Sequence, residues 1–355
     1  MASVGVVSYR LGGGDGVSVE AAKWINALRV LGHDVVTMAG SGTADLLVDG
    51  LRLADAHGPR ADDLSVLETL DLTIVENVAS LPLNPGARDA LYAVLTGRPA
   101  LFHHHDLAWQ RTHLAHLMGP RDDPAWRHVT INELSRRQLA ERGILAVTLY
   151  NSFDCDPPAG SRKATRDALG VEASERLLLF PSRAIARKNV PGAIRLCERL
   201  GATLWLLGPA EDGYDVDLAN VLGATSIRVV HRGLEGFSIH DAYAACDAVV
   251  VSSTWEGFGN PVLESVTHRR PLAIFPYPVA EEIRSFGFHF FDLLDVEGLS
   301  QFLVSPDEGV LEANLAIARH HFNLTDLPGR LAAVLETCGV LSAARPEMPL
   351  GSPPC

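Results

Sequence analysis

The stretch DAVVVSSTWEGFGNPVLESVTHRRPLAIFPY, residues 247–277, contains a complete strand–loop–helix–strand pattern. The apolar runs at its two ends predict strands that are buried on both faces, as in parallel sheets. The segment between them predicts a helix, with Asn260 as its N-cap and Pro261 at its first helical position. Glu256 lies in the loop, and Glu264 lies near the start of the helix. Ligand sites of parallel α/β sheets lie at this carboxyl edge.

The same alternation of short apolar runs and helix patterns extends along most of the chain. Before residue 152 the strand candidates are VGVVS, DVVTMA, LDLTIVE, PALFHHH, HVTIN and AVTLYNS. After residue 165 they are RLLLFPSR, TLWLLG, IRVVHRG and the two strands of the quoted stretch. Two such series predict an α/β protein with two Rossmann-like, doubly wound domains.

A segment rich in Pro, Gly and Ser, NSFDCDPPAGSRKAT at residues 151–165, predicts the boundary between the domains. We therefore expect an N-terminal domain over residues 1–155 and a C-terminal domain over residues 156–325. A further helix is expected over residues 326–345, and it could pack back on the N-terminal domain. The Pro-rich residues 346–355 predict a disordered tail.

Composition limits the classes of function that fit. The chain has 355 residues, of which 47% are hydrophobic, and a formal net charge of −13. This acidic balance argues against a nucleic-acid partner, although a local basic patch could still bind phosphate. Five cysteines without a CxxC pair favour a reduced, cytoplasmic protein. We find no signal peptide and no apolar run of the ~20 residues that span a bilayer. Peripheral membrane contact and a homo-oligomer both stay open.

The segment EGFGNPVLE, residues 256–264, carries a specific resemblance. It matches each fixed position of E-G-F-G-x-P-x-x-E, the E-x7-E signature of retaining GT-B glycosyltransferases, in particular the large family 4. The resemblance implies two Rossmann-like domains that face each other across a cleft, with the nucleotide held mainly by the second. It also implies that Glu256 faces the donor sugar and that Glu264 binds the ribose. The residues between them are expected to line the donor site: Gly257, Phe258, Gly259 and Asn260. Taken alone, Glu264 could equally be a carboxylate favoured by the helix dipole.

The segment FPSRAIARKNVPGAI, which opens the second domain, supplies the cations that the resemblance requires. The family carries an Arg and a Lys about five residues apart, and here these are Arg183 and Lys188. Fixed cations after a strand lower the barrier when a nucleoside diphosphate departs, because negative charge builds up there. Arg187 could replace either partner, and all of these bases could instead be solvated surface residues.

A glycine-rich loop follows the first strand and resembles the opening of the same family. Gly12, Gly13, Gly14 and Gly16 allow the backbone to approach a ligand closely, and we assign the last three to the donor site. A nicotinamide-binding loop is the rival hypothesis. It fails because valine occupies the third glycine position of GxGxxG, and because no acidic residue ends the second strand.

The histidines of ALFHHHDLAWQR, residues 100–111, form the last candidate group. His105, followed by Asp106, aligns with a histidine that the family carries after a strand of the first domain. We expect it to contact the donor sugar or the acceptor. Adjacent residues of a strand point to opposite faces, so only His103 and His105 could share a metal ion, and no third ligand is evident. We therefore expect no metal, while Arg111 could reach a negatively charged group nearby.

These assignments predict a glycosyltransferase, with His105, Glu256, Arg183 and Lys188 serving catalysis. A hexose-like sugar would move from a nucleoside-diphosphate sugar to an acceptor hydroxyl, or to an amine, without metal or another cofactor. The family implies retention at the anomeric carbon and front-face displacement without an enzymic nucleophile. The family's Gly-Gly loop is replaced here by residues 280–282, Ala-Glu-Glu, so donor identity is not carried over. The alternatives are a nucleotide-sugar epimerase on the same fold and a non-catalytic nucleotide-sugar-binding protein.

Overall fold

The computed structural model describes residues 1–53 and 57–338. The chain divides into two compact units: residues 1–149 together with the segment from Asp326 onward, and residues 150–325. The boundary therefore lies between Leu149 and Tyr150, at the start of the Pro- and Gly-rich segment rather than after residue 155. Residues 346–355, for which the sequence predicts a disordered tail, lie outside the described residues, as does the end of the predicted C-terminal helix.

The first unit contains alternating strands and helices. In chain order they are β1 (Ser3–Leu11), α1 (Gly16–Val30), β2 (Asp34–Gly42), β3 (Leu46–Leu47), β4 (Leu72–Glu76), α2 (Pro85–Leu95), β5 (Ala100–His104), β6 (Trp126–Thr130), α3 (Glu133–Ala140) and β7 (Ala146–Thr148). Helices α1, α2 and α3 each begin at a capping side chain, because Asp15, Asn84 and Asn132 accept a hydrogen bond from a backbone N–H of the first turn.

The strands of the first unit form one parallel sheet in the order β3-β2-β1-β4-β5-β6-β7. The order reverses between β1 and β4, which lie side by side with Ser8 opposite Glu76. In open α/β sheets this reversal opens a crevice at the carboxyl ends of the strands. The glycine-rich loop after β1 and the histidines that end β5 therefore belong to one edge of one sheet.

The second unit repeats this architecture. Its elements are α4 (Arg162–Leu169), β8 (Leu177–Phe180), α5 (Val190–Leu200), β9 (Thr203–Leu206), α6 (Asp215–Ala224), β10 (Val229–His231), α7 (Ile239–Ala245), β11 (Ala248–Val251), α8 (Asn260–Thr267), β12 (Leu272–Ile274), α9 (Pro278–Arg284), β13 (Phe291–Asp292), α10 (Val296–Val304) and α11 (Glu308–His321). Its sheet is parallel with the order β10-β9-β8-β11-β12-β13. Here the order reverses between β8 and β11, so the loops after these two strands are neighbours.

The last helix, α12 (Leu327–Glu336), belongs to the first unit. It packs against α1, and its buried face consists of Leu327, Leu331 and Leu335. Pro328 marks its start, since proline fits the first turn of a helix and not its interior. None of the helices within the described residues is long and apolar enough to cross a membrane.

The predicted fold class is confirmed, because both units are parallel-sheet α/β domains. Two short edge strands were not predicted, namely β3 and β13. Strands of two residues leave no periodicity in a sequence.

Candidate active site

A buried ion pair occupies the point where the second sheet reverses its strand order. Glu256 lies in the loop after β11, and one of its carboxylate oxygens, Oε1, contacts the ammonium group of Lys188. The other, Oε2, lies 2.7 Å from the guanidinium of Arg187. Arg187 also donates to the backbone carbonyl of Trp255 at 2.8 Å. Both bases come from the loop after β8, so the pairing of β8 with β11 brings the carboxylate and its cations together.

The electrostatics of this group keep the carboxylate charged. Burial raises the pKa of Glu256, but Lys188 and Arg187 outweigh burial and leave the pKa below its usual range. Burial lowers the pKa of Lys188, and repulsion from Arg187 and Arg183 acts in the same direction against the attraction of Glu256. The loop after β8 thus concentrates positive charge that one glutamate only partly neutralises.

Arg183 lies apart from this pair, since its guanidinium contacts Glu211 at 2.6 Å and is 45% exposed. The sequence predicted Arg183 and Lys188 as the two cations of the site. The structure instead places Arg187 beside Lys188 at Glu256, and keeps Arg183 close enough to lower the pKa of Lys188. Arg187 was the ambiguous residue of the segment, and its direct contact with Glu256 gives it a defined position.

Glu264 is the fifth residue of α8 and is half-buried. Its Oε2 accepts a hydrogen bond of 2.7 Å from the hydroxyl of Tyr243, which lies in α7 and is fully buried. Burial, together with the neighbouring carboxylate, raises the pKa of Tyr243 well above its usual value. Tyr243 therefore stays a hydrogen-bond donor that fixes one oxygen of Glu264. Sequence analysis missed this tyrosine, because HDAYAACD shows only a short helix.

The start of α8 differs from the prediction. Gly259 is the N-cap, with φ of +91°, and Asn260 is the first helical residue. A side chain at Gly259 would be strained at this φ, and its Cβ would lie 2.3 Å from the hydroxyl oxygen of Tyr277. Asn260 instead uses its side-chain oxygen to accept a hydrogen bond of 3.0 Å from Asn151. The prediction that Asn260 caps α8 was wrong because a left-handed glycine turn can replace a side-chain cap.

The side chain of Phe258 lies in the interior of the second unit. It is buried, and its ring packs against Phe153, Phe322 and Tyr150, with ring centroids 5.9 Å, 6.4 Å and 6.4 Å away. Its backbone carbonyl accepts a hydrogen bond of 3.2 Å from Tyr277. The ring of Phe258 therefore belongs to the aromatic core of the second unit, and a contact of this residue with the donor would have to come from its backbone. Gly257, which precedes it, stays in the loop beside Glu256.

The glycine-rich loop of the first unit combines tight geometry with open space. Gly12 has φ of +71°, and a Cβ at Gly13 would meet Asp15 at 3.0 Å and Arg10 at 3.1 Å. At Gly14 and Gly16, by contrast, no atom lies within 4 Å of an added Cβ. No neighbouring protein atom therefore requires glycine at these two positions. A ligand that approaches the backbone closely would require it.

The three histidines divide between the two faces of β5, as strand geometry requires. His103 and His105 turn towards Glu76 at the end of β4. His104 points the other way, where its Nδ1 lies 2.6 Å from the hydroxyl of Ser80 and its Nε2 lies 2.9 Å from His128. His104 is thus part of a buried polar chain on the far side of the sheet.

Glu76 was missed by sequence analysis, and it organises the histidines of the other face. Its Oε2 lies 2.9 Å from Nδ1 of His103 and 2.8 Å from Nε2 of His105. Burial raises the pKa of Glu76, but the two histidines reverse this and bring the pKa to about 2. The available signal was an acidic residue at the end of the apolar run LTIVE, one strand away from the histidines.

These three side chains also form a set that could hold a metal ion, since one ligand atom from each lies within 4.8 Å of the others. A metal bound at Nδ1 of His103 would force the ring proton onto Nε2. That atom is buried and has no hydrogen-bond partner among the described residues. Metal-bound histidines almost always donate their other N–H. This geometry favours a hydrogen-bonded cluster over a metal centre.

Arg111 and the two glutamates of residues 280–282 form ion pairs or hydrogen bonds with other side chains. Arg111 pairs with Asp106 at 2.9 Å, so its negatively charged neighbour is the residue that follows His105. In the segment that departs from the family pattern, Glu282 accepts a hydrogen bond of 2.8 Å from Tyr150, and Glu281 pairs with Arg284 at 3.2 Å. Helix α9 thus occupies the place of the family's Gly-Gly loop.

Two cavities lie on the second unit. The larger, of about 570 Å³, is lined by residues such as Arg176, Asp247 and Pro271, which precede the strands. It therefore lies at the amino edge of the sheet, away from Glu256. The smaller, of about 480 Å³, is lined by Leu207, Leu218, Arg232 and other residues that follow β9 and β10. It lies at the same carboxyl edge as the ion pair.

Residues 161–288, which include the Glu256 site, match the family described as Glycosyl transferases group 1. The second unit therefore contains a glycosyltransferase domain. The mannosylglucosylglycerate synthase of Petrotoga mobilis is 25% identical over 82% of this chain and 86% of its own length. The synthase of the same name from Thermotoga maritima is 24% identical over 91% of this chain and 97% of its own.

Solved structures of glycosyltransferases share the fold of this chain, the GT-B fold. HepE of Anabaena, solved in complex with UDP and glucose, superposes with a TM-score of 0.73 at 17% identity. The superposition covers 95% of this chain and all of HepE. WaaG, a glycosyltransferase of lipopolysaccharide biosynthesis, gives a TM-score of 0.64 at 16% identity, over 93% of this chain and 99% of WaaG. The resemblance to family 4 is consistent with these matches.

The buried histidines predict a pH dependence of stability. Burial, as the largest cause, lowers the pKa of His103, His104 and His128 below 6.5. Their contribution to stability is therefore present above pH 6.5, the unfolded value, and is lost as the pH falls towards their folded values. We expect the free energy of unfolding, measured with urea between pH 8 and pH 5, to fall below pH 6.5. Each histidine can contribute at most about 1.4 kcal/mol per pH unit to this decrease in the free energy of unfolding.

His128→Gln should make this slope shallower, whereas His113→Gln, at an exposed position, should leave it unchanged. An unfolding free energy that stays constant down to pH 5.5 would show that these histidines are not held neutral in the folded state.

The position of Phe258 gives a second prediction. Phe258→Leu should lower the free energy of unfolding by about 1–2 kcal/mol, because it removes part of a buried ring from a packed cluster. It should leave the affinity for a nucleoside diphosphate within about twofold of the wild-type value, a difference below ~0.5 kcal/mol. Urea unfolding and calorimetric titration measure the two quantities. A large loss of affinity at unchanged stability would show that the side chain of Phe258 contacts the donor.

Proposed function

We propose that this glycosyltransferase moves a hexose-like sugar from a nucleoside-diphosphate sugar to an acceptor hydroxyl, with retention at the anomeric carbon. The observation that carries the proposal is the cationic loop after β8, which contacts Glu256 at the strand-order reversal of the second sheet. HepE, a structural neighbour, was solved with UDP-glucose. That likeness supports a nucleoside-diphosphate sugar as the donor class.

In this proposal the positive charge of the second unit serves the leaving group. Lys188 and Arg183 receive the diphosphate, together with the amino end of α8, whose dipole favours an anion. Arg183 is exposed, and among the described residues its guanidinium pairs with Glu211 alone, so it can turn towards an incoming phosphate. Arg187 is held by Glu256 and the carbonyl of Trp255, and it orients the carboxylate. Fixed cations stabilise the charge that develops as the diphosphate leaves.

The two glutamates have separate roles in the proposal. Glu256 faces the donor sugar, and its charge is maintained by Lys188 and Arg187. Glu264 accepts hydrogen bonds from the ribose hydroxyls, while Tyr243 holds its other carboxylate oxygen. The cavity after β9 and β10 lies at the same edge, and its mixture of apolar and polar lining residues suits a nucleobase. The two similar synthases are named for a glycosylated glycerate, which favours a hydroxyl acceptor.

A panel of nucleoside-diphosphate sugars, incubated with the protein and cell extract, tests the proposal. Mass spectrometry should reveal a product heavier than its acceptor by one sugar residue, and NMR of that product should show the anomeric configuration of the donor. Appearance of an epimerised donor would support a nucleotide-sugar epimerase. Binding without turnover of any donor would support a non-catalytic binding protein, and inversion would contradict the mechanism proposed.

The diphosphate cations give the first prediction of this proposal. Arg183→Ala and Lys188→Ala should each lower kcat/KM by ~10-fold or more, because a charge-assisted phosphate contact is lost in the transition state. Arg195→Ala, an exposed arginine on α5, is the matched control and should leave kcat/KM unchanged. Circular dichroism should show that all three variants are folded. A loss below about threefold for Lys188→Ala would remove it from the diphosphate site.

The proposed roles of the two glutamates predict that their variants differ in affinity for the bare nucleoside diphosphate. Glu264→Gln should weaken it, because ribose contacts act in the ground state and the transition state alike and so mainly affect KM. Glu256→Gln should not weaken it, since loss of its charge frees Lys188, and it should instead lower kcat. Calorimetric titration of both variants without sugar measures the difference. Weakening by Glu256→Gln alone would show that the roles are reversed.

The proposal requires no metal or other cofactor, since protein cations neutralise the diphosphate. Transfer should therefore persist in excess EDTA at a rate within about twofold of the untreated enzyme, a barrier difference of ~0.4 kcal/mol. Initial rates before and after chelation check this. If EDTA abolishes transfer and Mg²⁺ or Mn²⁺ restores it, the cationic loop is not sufficient for the leaving group.

A further inference from the structure

A polar cluster in the first unit has a geometry that the reaction described above does not require. Two histidine nitrogens, Nδ1 of His103 and Nε2 of His105, lie within hydrogen-bond distance of the same oxygen, Oε2 of Glu76. Glu76 and His103 are fully buried, and His105 is 5% exposed. The ring of His103 also stacks on Trp24 of α1, with centroids 3.9 Å apart. Packing thus fixes one histidine, and that histidine helps to fix the carboxylate.

The charge of Glu76 determines where the ring protons lie. Its pKa, about 2, leaves an ionised carboxylate that can only accept hydrogen bonds. Each ring nitrogen that faces it must therefore carry a proton. In neutral His105 this places the proton on Nε2 and leaves Nδ1 as an acceptor. Nδ1 of His105 has no hydrogen-bond partner among the described residues and is not among their buried unpaired atoms.

The backbone at His105 is fixed independently. Asn77 follows Glu76 directly, and its side-chain oxygen accepts hydrogen bonds of 3.1 Å from the N–H groups of both His105 and Asp106. Asn77 adopts φ of +62°, a left-handed conformation that is uncommon for residues other than glycine. Such conformations cluster at functional sites, where the surrounding structure maintains them. Two consecutive residues at the end of β4 thus hold both the side chain and the main chain of His105.

We propose that Glu76 is a positioning residue that holds His105 as its Nε2–H tautomer and presents Nδ1 as the acceptor for a substrate hydroxyl. This rests on the proposed function, which supplies hydroxyl-bearing ligands in the donor sugar and the acceptor. An imidazole held by an ionised carboxylate accepts a hydroxyl hydrogen bond without rotating, so its orientation costs little upon binding. His103 also donates a hydrogen bond to Oε2 of Glu76. This second contact restricts rotation of the Glu76 side chain.

The tautomer is measured directly by long-range ¹H–¹⁵N NMR of protein labelled with ¹⁵N-histidine at pH 8. The His105 signals are assigned by their loss in His105→Asn. The proposal predicts a protonated Nε2 and an unprotonated Nδ1 for His105 in the wild-type protein. A protonated Nδ1 overturns it. This readout needs no variant of Glu76 to fold and no substrate to be known.

Kinetics then test whether the positioning serves the reaction. Glu76→Gln, which removes the charge at nearly constant shape, should lower kcat/KM at least 10-fold and give a mixture of His105 tautomers. The double variant Glu76→Gln/His105→Asn should lose no more activity than His105→Asn alone, because the two residues act as a unit. His104→Asn, on the opposite face of β5, is the control for damage to the strand. It should lower the melting temperature while keeping most of the activity.

Losses that multiply in the double variant, or an unchanged tautomer and unchanged activity in Glu76→Gln, would overturn the proposal. So would full activity of His105→Asn. Absence of transfer from every donor by the wild-type protein would instead contradict the proposed function, and the tautomer would still decide the assignment of Glu76.

Discussion

The contact between the carboxylate of Glu256 and the ammonium group of Lys188 is the interaction on which the second unit's site depends. Two charges in a buried position are stable only when they satisfy each other, and removal of one leaves the other uncompensated. The strand order supplies the partners, because β8 and β11 are adjacent and their loops meet at the carboxyl edge. Arg187 adds a second cation to the same carboxylate, so the group of two basic side chains and one carboxylate is net positive when all three are charged. The left-handed turn at Gly259 then starts α8 directly behind this charge.

The first unit has a similar arrangement at its own strand-order reversal, but different side chains surround the glutamate. Its strand order also reverses, between β1 and β4, and a buried glutamate again lies at the reversal. The ionised carboxylate of Glu76 accepts hydrogen bonds from two imidazole N–H groups and contacts neither a lysine nor an arginine among the described residues. A site that binds diphosphate needs fixed positive charge, whereas a site that binds sugar hydroxyls needs oriented donors and acceptors. Under the proposed function, the site of the second unit suits the diphosphate, and the cluster of the first unit suits a hydroxyl group.

Much of this was predictable from the sequence, and the limits have physical causes. Apolar runs buried on both faces predicted β1, β8, β11 and the other long strands, and EGFGNPVLE located the loop of Glu256. The helix start was misassigned because the sequence shows a good N-cap in Asn260, while the cap used is the positive φ of Gly259. The inward direction of the Phe258 ring was not predicted, because a motif gives no direction for its side chains. Glu76 and Tyr243 were missed because their partners lie 27 and 21 residues away in the chain, at distances that only folding closes.

A double-mutant cycle on Glu256 and Lys188 tests the central claim most directly. The quantity to measure is kcat/KM for Glu256→Gln, Lys188→Met and the double variant, with the donor that the panel identifies. If the two residues form one functional unit, the double variant will lose no more than about threefold beyond the worse single variant. If the losses of the two single variants multiply in the double variant, Glu256 and Lys188 act independently and the account of this site is wrong.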